Sequence, residues 1–257
     1  MTTTWAGGAV GAVAQAVLAP NPGPMTLEGT NTWVLRAPGS EAAIVVDPGP
    51  EGHTDHLRAV AEAAGPVALT ILTHHHRDHT GAVAEWAAMT GSPVRGADHG
   101  APFADGERIQ AAGLTVQVLL TPGHTDDSIS LLVQDHNLLL TGDTVLGRGT
   151  TVVPWPEGDL GAYLTSLDRL ADLARVGKVE SIAPGHGPVI QNPLEFLTEL
   201  IAHRRQRLEQ VTQALNDGAT SAADVVQMVY GDLAKTLARA ALSTVRAQLA
   251  YLGRETD

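Results

Sequence analysis

Four histidines and an aspartate fall within six residues, in the run Thr73-His74-His75-His76-Arg77-Asp78-His79-Thr80-Gly81. The run directly follows a short apolar segment, Val67–Thr73, that reads as a buried strand. Imidazoles at this density repel one another when charged and need partners when buried. A fold that carries them at a strand end therefore has to satisfy them together. Imidazole nitrogen and carboxylate oxygen are the usual non-thiolate ligands of zinc. The chain contains no Cys, which excludes disulfides, thiol nucleophiles and thiolate zinc sites.

The remaining pattern alternates short strands with helices. Ala9–Ala19 and Thr32–Arg36 read as strands around a Pro- and Gly-rich loop, Pro20–Asn31. Ala42–Val46 reads as a buried strand ending at Asp47-Pro48-Gly49, and His53–Ala64 has helical spacing. A helix is expected over Thr80–Thr90, and strands over Val94–Ala97 and Thr115–Leu120. Ser128–Val133 and Asn137–Thr141 form a strand pair joined through Gln134-Asp135-His136. Leu160–Leu173 is a helix and Val179–Ala183 a last strand. From Asn192 the chain turns helical, over Pro193–Leu215, Ala222–Val229 and Leu233–Leu252, with Thr220 or Ser221 and Asp232 as N-caps. The expected organisation is a layered α/β catalytic domain over 1–191 and a small all-helical domain over 192–257.

The histidine run resembles the signature of the metallo-β-lactamase superfamily, His-x-His-x-Asp-His, with His74, His76, Asp78 and His79 in its positions. Later elements follow in the order of that family. They are His124 in Thr-Pro-Gly-His-Thr-Asp, Asp143 in Thr-Gly-Asp-Thr and His186 in Pro-Gly-His-Gly. The resemblance implies a four-layer αβ/βα sandwich with two zinc ions at one edge. One zinc ion would take His74, His76 and His124. The other would take Asp78, His79 and His186, with Asp143 bridging them. It further implies hydrolysis by a metal-bridging hydroxide, with Asp78, His79 and Asp143 at the reacting centre. Asp47 resembles a position that supports a ligand loop, although it also suits a turn before Pro48. His75 alternates with His74 and His76 and is expected to point away from the metals. Asp126 and Asp127, beside His124, are open between a supporting role and a turn.

Further segments, among them Asn21–Thr32, Gly147–Thr151 and His203-Arg204, resemble a subgroup that includes the mitochondrial β-lactamase-like endoribonuclease and related bacterial hydrolases. That likeness implies single-stranded RNA as a substrate and a winged-helix-like C-terminal domain. It places Thr30 and Asn31 near the substrate mouth, with Arg148 as an anion contact. Two features depart from the animal nucleases: His75 stands where they carry an aromatic residue, and this chain is acidic. Its formal charge is −12, with 9 basic against 20 acidic residues over 1–194. Nucleic-acid binding draws on basic surface, and the one basic run, His203-Arg204-Arg205-Gln206-Arg207, also reads as an ordinary solvated helix face. The third tail helix has few basic residues, which gives DNA reading little support. The tail is expected to wall the cleft or to form a homodimer contact.

A glyoxalase-II-like thioesterase or a lactonase, acting on a small ester or thioester, is the alternative with the same metals. A catalytically inactive, metal-stabilised interaction protein is the non-enzymatic alternative. The N-terminus lacks a basic region followed by an apolar run, and no segment is long and apolar enough to span a bilayer. The expectation is a cytoplasmic protein without a membrane partner.

Overall fold

A computed structural model describes residues 4–255. Its strands are β1 (Gly8–Val10), β2 (Ala14–Leu18), β3 (Asn31–Leu35), β4 (Ala43–Val46), β5 (Val67–Ile71), β6 (Val94–Arg95), β7 (Arg108–Ala111), β8 (Leu114–Leu120), β9 (Ile129–Val133), β10 (Leu138–Gly142) and β11 (Ser181–Pro184). Its α-helices are α1 (Thr54–Ala64), α2 (Arg77–Thr80), α3 (Val83–Thr90), α4 (Leu160–Arg175), α5 (Pro193–Asn216), α6 (Ala222–Tyr230) and α7 (Lys235–Tyr251).

The strands form two sheets, in the orders β1-β2-β3-β4-β5-β6 and β11-β10-β9-β8-β7. Side-chain alternation explains why both sheets are covered on two sides. In β4, Ile44 and Val46 enter the core between the sheets, while Ala43 and Val45 pack outward under Leu57, Val60 and Trp86. In the second sheet, Leu131, Val133, Leu138 and Leu140 face the same central core. Leu132 and Leu139 face outward, against Leu167 and Leu170 of α4 and Leu197 and Leu200 of α5. The result is the helix–sheet–sheet–helix layering of an αβ/βα sandwich.

Several boundaries differ from the expectation. The 9–19 run is a hairpin, with Gly11 at φ +58° between β1 and β2. Strand β7 escapes detection because it buries one side chain, Ile109, and so carries no alternating signal. The helix after the histidines begins at Arg77, so Asp78 and His79 ride on a helical turn of their own. Ser221 caps α6 in a reciprocal capping box with Asp224. Asp232 does not cap α7, which starts after Ala234; its carboxylate instead accepts from Gln227. The tail helices share a small core of Val211, Ala214, Val225, Val245 and Leu249. No strand occurs among the described residues after Asn192, so the tail is helical without the hairpin wing of a winged helix.

A buried histidine away from the cluster makes the fold pH-sensitive. The single proton of the Thr32 hydroxyl goes to Asp47 O at 2.7 Å, so His56 Nε2, 2.9 Å from that hydroxyl, is the donor. Burial, with His53 nearby, lowers the His56 pKa to about 4. Its folded value lies below its unfolded one, so the stability tied to its neutral form is complete above about pH 6.5. It is lost as pH falls toward 4, by about 3 kcal/mol. His56→Gln is expected to flatten that loss, measured as the difference between the two proteins' denaturation free energies at about pH 7 and about pH 4.5. Parallel pH curves would rule this out.

Candidate metal centre

Every segment of the cluster leaves the end of a strand at one edge of the sandwich. His74 follows β5, His124 follows β8, Asp143 follows β10, His186 follows β11 and Asp47 follows β4. Rigid strands thereby fix loops that are far apart in sequence. Their side chains converge into the groups His74–His76–His124, His74–His79–Asp143 and Asp78–His79–His186, with donor atoms within 4.8 Å of one another in each. Asp143 stands between the first and last: its Oδ1 is 3.3 Å from His79 Nε2, and its Oδ2 is 3.4 Å from His186 Nε2 and 3.8 Å from His124 Nε2.

Hydrogen bonds outside the cluster determine which ring nitrogens face inward. Asp47 Oδ2 accepts from His79 Nδ1 at 2.8 Å. It also accepts the Thr73 hydroxyl proton at 2.7 Å, so His74 Nδ1, 3.0 Å from that hydroxyl, is again the donor. His124 Nδ1 donates to Val152 O at 2.7 Å and His186 Nδ1 to Gly29 O at 3.1 Å. With the proton held on Nδ1, all four rings turn Nε2 inward, free to coordinate. His76 presents Nδ1, 3.0 Å from His124 Nε2, while Glu157 lies 3.5 Å from its other nitrogen. His74 Nε2 and Asp143 Oδ1 are buried with no hydrogen-bond partner. Lone pairs facing lone pairs in a buried space are satisfied by a cation, and the donor set fits one.

The charges of the cluster point the same way. Burial alone would lower the His79 and His186 pKa values, but Asp143 and its neighbouring carboxylates outweigh it. They raise His79 well above the usual range and His186 to about 9. Burial works against the Asp143 and Asp78 carboxylates too. His186 and His79 nevertheless hold Asp143 well below the usual range, and His79 and His186 hold Asp78 at about 2. Burial keeps His74 and His124 neutral, with His79 opposing charge on His74. The carboxylates thus demand positive charge at the centre of a cluster whose outer rings refuse it.

Asp47 is 2 % exposed and sits at φ +56°, a left-handed conformation that aspartate tolerates. It accepts from Thr73 N and Thr73 Oγ1 as well as from His79. We expect Asp47→Ala to weaken metal binding by roughly 10- to 100-fold, because it frees the orientation of two rings at once. Competition against a chelator measures this, and an unchanged affinity would assign Asp47 to the turn alone.

Other expected site residues lie elsewhere. Thr30 and Asn31 do not line the cavity; both are fully buried. Asn31 Nδ2 donates to Pro184 O and Gly187 O, and Thr30 pairs with His186 across an isolated bridge, so they hold the His186 loop from behind. Arg148 does line the cavity, but Glu28 accepts two hydrogen bonds from it at 2.7 and 2.8 Å. His75 points away from the cluster, as its alternation implies, between Asp127 at 2.8 Å and Glu157. Burial opposes its charge, but Asp127 and Glu157 raise its pKa. Asp126 is exposed.

A cavity of about 640 Å³ opens over the cluster, with His76, Asp78, His124 and Asp143 in its wall. Met25, Leu27 and Leu146 line one part, and Leu233, Leu237 and Ala241 of the tail line another. Arg204 departs from the solvated-face reading: it is 5 % exposed, stacks over the Tyr163 ring and donates to Thr151 O. The tail helices wall the cavity as expected, whereas the roles of Glu28 and Glu157 escape sequence reasoning, since neither belongs to a local pattern.

The profile of the metallo-beta-lactamase superfamily matches residues 25–108 and 88–186. A beta-lactamase-like protein 2 homolog of Caenorhabditis elegans is 34% identical over 256 residues, which covers 93% of this chain and 83% of that protein. An atrochrysone carboxyl ACP thioesterase of Aspergillus fumigatus is 34% identical, over 84% of this chain and 73% of that one. Among solved structures, a metallo-beta-lactamase family protein of Thermus thermophilus superposes with a TM-score of 0.78 at 24% identity, over 93% of both chains. A beta-lactamase domain protein of Burkholderia ambifaria gives 0.80 at 22%, over 98% of this chain and 89% of that one. With its sandwich, its ordered ligand segments and these relatives, the chain belongs to the metallo-beta-lactamase superfamily of hydrolases.

Proposed function

We propose that the chain is a dinuclear zinc-dependent hydrolase of small acyl thioesters or esters. The observation that carries this reading is the cavity: the histidine–aspartate cluster lies in a half-open space where apolar side chains, among them Met25, Leu27, Leu146 and Leu233, share the wall with Arg148, Arg204 and Arg207. Such a space fits a compact, partly apolar acyl group. Histidine nitrogens with carboxylate oxygens suit zinc, held by His74, His76 and His124 and by Asp78, His79 and His186, with Asp143 shared. When bound, the ions supply Lewis acidity and lower the pKa of water toward neutrality. The chain's own residues prepare that chemistry. Asp78, ionised down to about pH 2, is a weak base, and at the cavity wall it is placed to orient the attacking water as a hydrogen-bond acceptor. Asp47, Val152 O and Gly29 O hold the rings in one tautomer, so no reorganisation accompanies the reaction. Leu27, Leu146 and Leu237 line the cavity with apolar surface that excludes water around the acyl group.

A relative carrying the name of an acyl-carrier thioesterase supports this choice. Single-stranded RNA, the substrate implied by the subgroup resemblance, is favoured less by the charge. Arg148 is neutralised by Glu28 and the chain carries −12 overall, whereas RNA binding rests on phosphate contacts. The deciding experiment gives the zinc-loaded protein a panel of acyl thioesters and a labelled single-stranded RNA, with Asp78→Asn as control. We expect thioester turnover that falls at least roughly 100-fold in the variant, and no RNA cleavage above the variant's background. RNA cleavage without thioester turnover would replace this reading with the nuclease one.

A further inference from the structure

Arg204 is an unusual part of the cavity wall. It is almost fully enclosed, yet no carboxylate among the described residues lies within ion-pair distance of it. It donates one hydrogen bond, to Thr151 O, and its Nε is buried with no partner. A buried guanidinium without a counter-ion is costly unless something completes it. The nearby polar groups are unsatisfied as well. Gln248 is 2 % exposed and lines the same cavity, where its amide NH₂ is the group able to donate to a carboxylate; His203 Nδ1 is buried and unpartnered. Thr244, one helical turn before Gln248 on α7, is buried and lines the cavity beside it. Arg204, Gln248 and Thr244, from α5 and α7, thus face one space, and the only full charge that they contribute is positive.

We infer that Arg204, with Gln248 and Thr244, forms a carboxylate-binding subsite in the α5–α7 wall of the cavity. This rests on the proposed thioesterase reading and names its substrate class: thioesters that carry a carboxylate. A planar guanidinium matches a carboxylate's two oxygens, and Arg207, one helical turn on, lines the same cavity and adds to the positive field that an anion meets there. The subsite lies close to the metal cluster. Thr151 O accepts from Arg204, Thr151 Oγ1 donates to Asp143 O at 2.6 Å, and Val152 O accepts from His124. Arg204 thus shares the Thr151–Val152 loop and one cavity wall with His124 and Asp143 of the cluster.

The test compares kcat/KM of the zinc-loaded protein for three thioesters. Succinyl-N-acetylcysteamine carries the carboxylate on the acyl side, the butyryl thioester of 3-mercaptopropionate carries it on the thiol side, and butyryl-N-acetylcysteamine carries none. We expect one acidic substrate to be preferred over the neutral one by roughly 10- to 100-fold, the scale of a charge-assisted hydrogen bond. Which one is preferred tells the side. The preference should collapse toward one in Arg204→Gln, and fall several-fold in Gln248→Leu, which leaves the Arg204–Thr151 bond in place. Calorimetric titration with succinate reads the subsite without turnover, and we expect binding to weaken at least roughly tenfold in Arg204→Gln. If no thioester is hydrolysed, the functional reading fails while succinate binding still reports on the subsite. A wild-type preference below about twofold, or succinate binding unchanged by both substitutions, overturns the subsite. If Arg204→Gln does not fold, the Gln248→Leu result decides.

Discussion

Asp143→Asn is expected to leave the sandwich folded and to remove the second metal. The substitution keeps the side chain's volume, so packing against β10 and β11 survives, and it removes one charge at the point where the two ligand groups meet. Asp143 Oδ1 lies 3.3 Å from His79 Nε2 and Oδ2 lies 3.4 Å from His186 Nε2. Two divalent ions held by the two ligand groups would repel strongly, and the Asp143 carboxylate, which stands between those groups, would be the negative charge that both could share. An amide in its place offers one neutral oxygen, and its NH₂ turns a donor toward ring nitrogens that have to accept a cation. Zinc content measured after gel filtration should fall from two equivalents to one or less. Turnover on the best thioester should drop on the order of 10³-fold, the loss typical of removing a preorganised charge from a reacting centre. Two retained equivalents would mean that Asp143 is a neighbour of the centre and not a ligand.

Gly185→Ala should damage the same centre through sterics. A Cβ built on Gly185 would lie 2.5 Å from Asp143 Oδ1 and 2.8 Å from His79 Cε1. His79 is held on its far side by Asp47, and the Asp143 carboxylate stands between His79 and His186. Neither can retreat without leaving the cluster. Overpacking of this kind costs about 1–3 kcal/mol in the metal-free protein, and the displaced ring and carboxylate should weaken zinc binding by at least roughly tenfold. Thermal melts with chelator and zinc competition read the two effects separately. A variant that binds zinc normally would show that the loop relaxes around the added methyl.

Asp143 and Gly185 also divide what the chain states locally from what its folding assembles. Asp143 is legible as a candidate ligand through the family resemblance, whose Thr-Gly-Asp-Thr element falls just beyond an apolar strand, as the His74, His124 and His186 elements do. Buried strands declare themselves through short apolar runs and helices through side-chain period, so Ala42–Val46 and the Leu197, Leu200 and Ile201 stripe are readable too, while the faces that Ile44, Val45 and Val46 take are not. Strand β7 is not, because one buried residue makes no period. The α2 turn is not, since four residues are too few to show one.

Partnership across the chain has no local signature. Which nitrogen each histidine turns inward depends on Asp47, Val152 O and Gly29 O, groups brought in from other segments. The subgroup resemblance places Thr30 and Asn31 near the substrate mouth, yet tertiary packing buries them behind His186. The same resemblance makes Arg148 an anion contact, and Glu28, 120 residues away, meets it. Arg204 reads as solvated on its helix, and the Thr151 loop and Tyr163 bury it. Ligand type and hydropathy are properties of short segments and survive in the one-dimensional chain. Tautomer, ion pairing and burial are properties of contacts, and they come into existence when two sheets and the tail helices close on one edge.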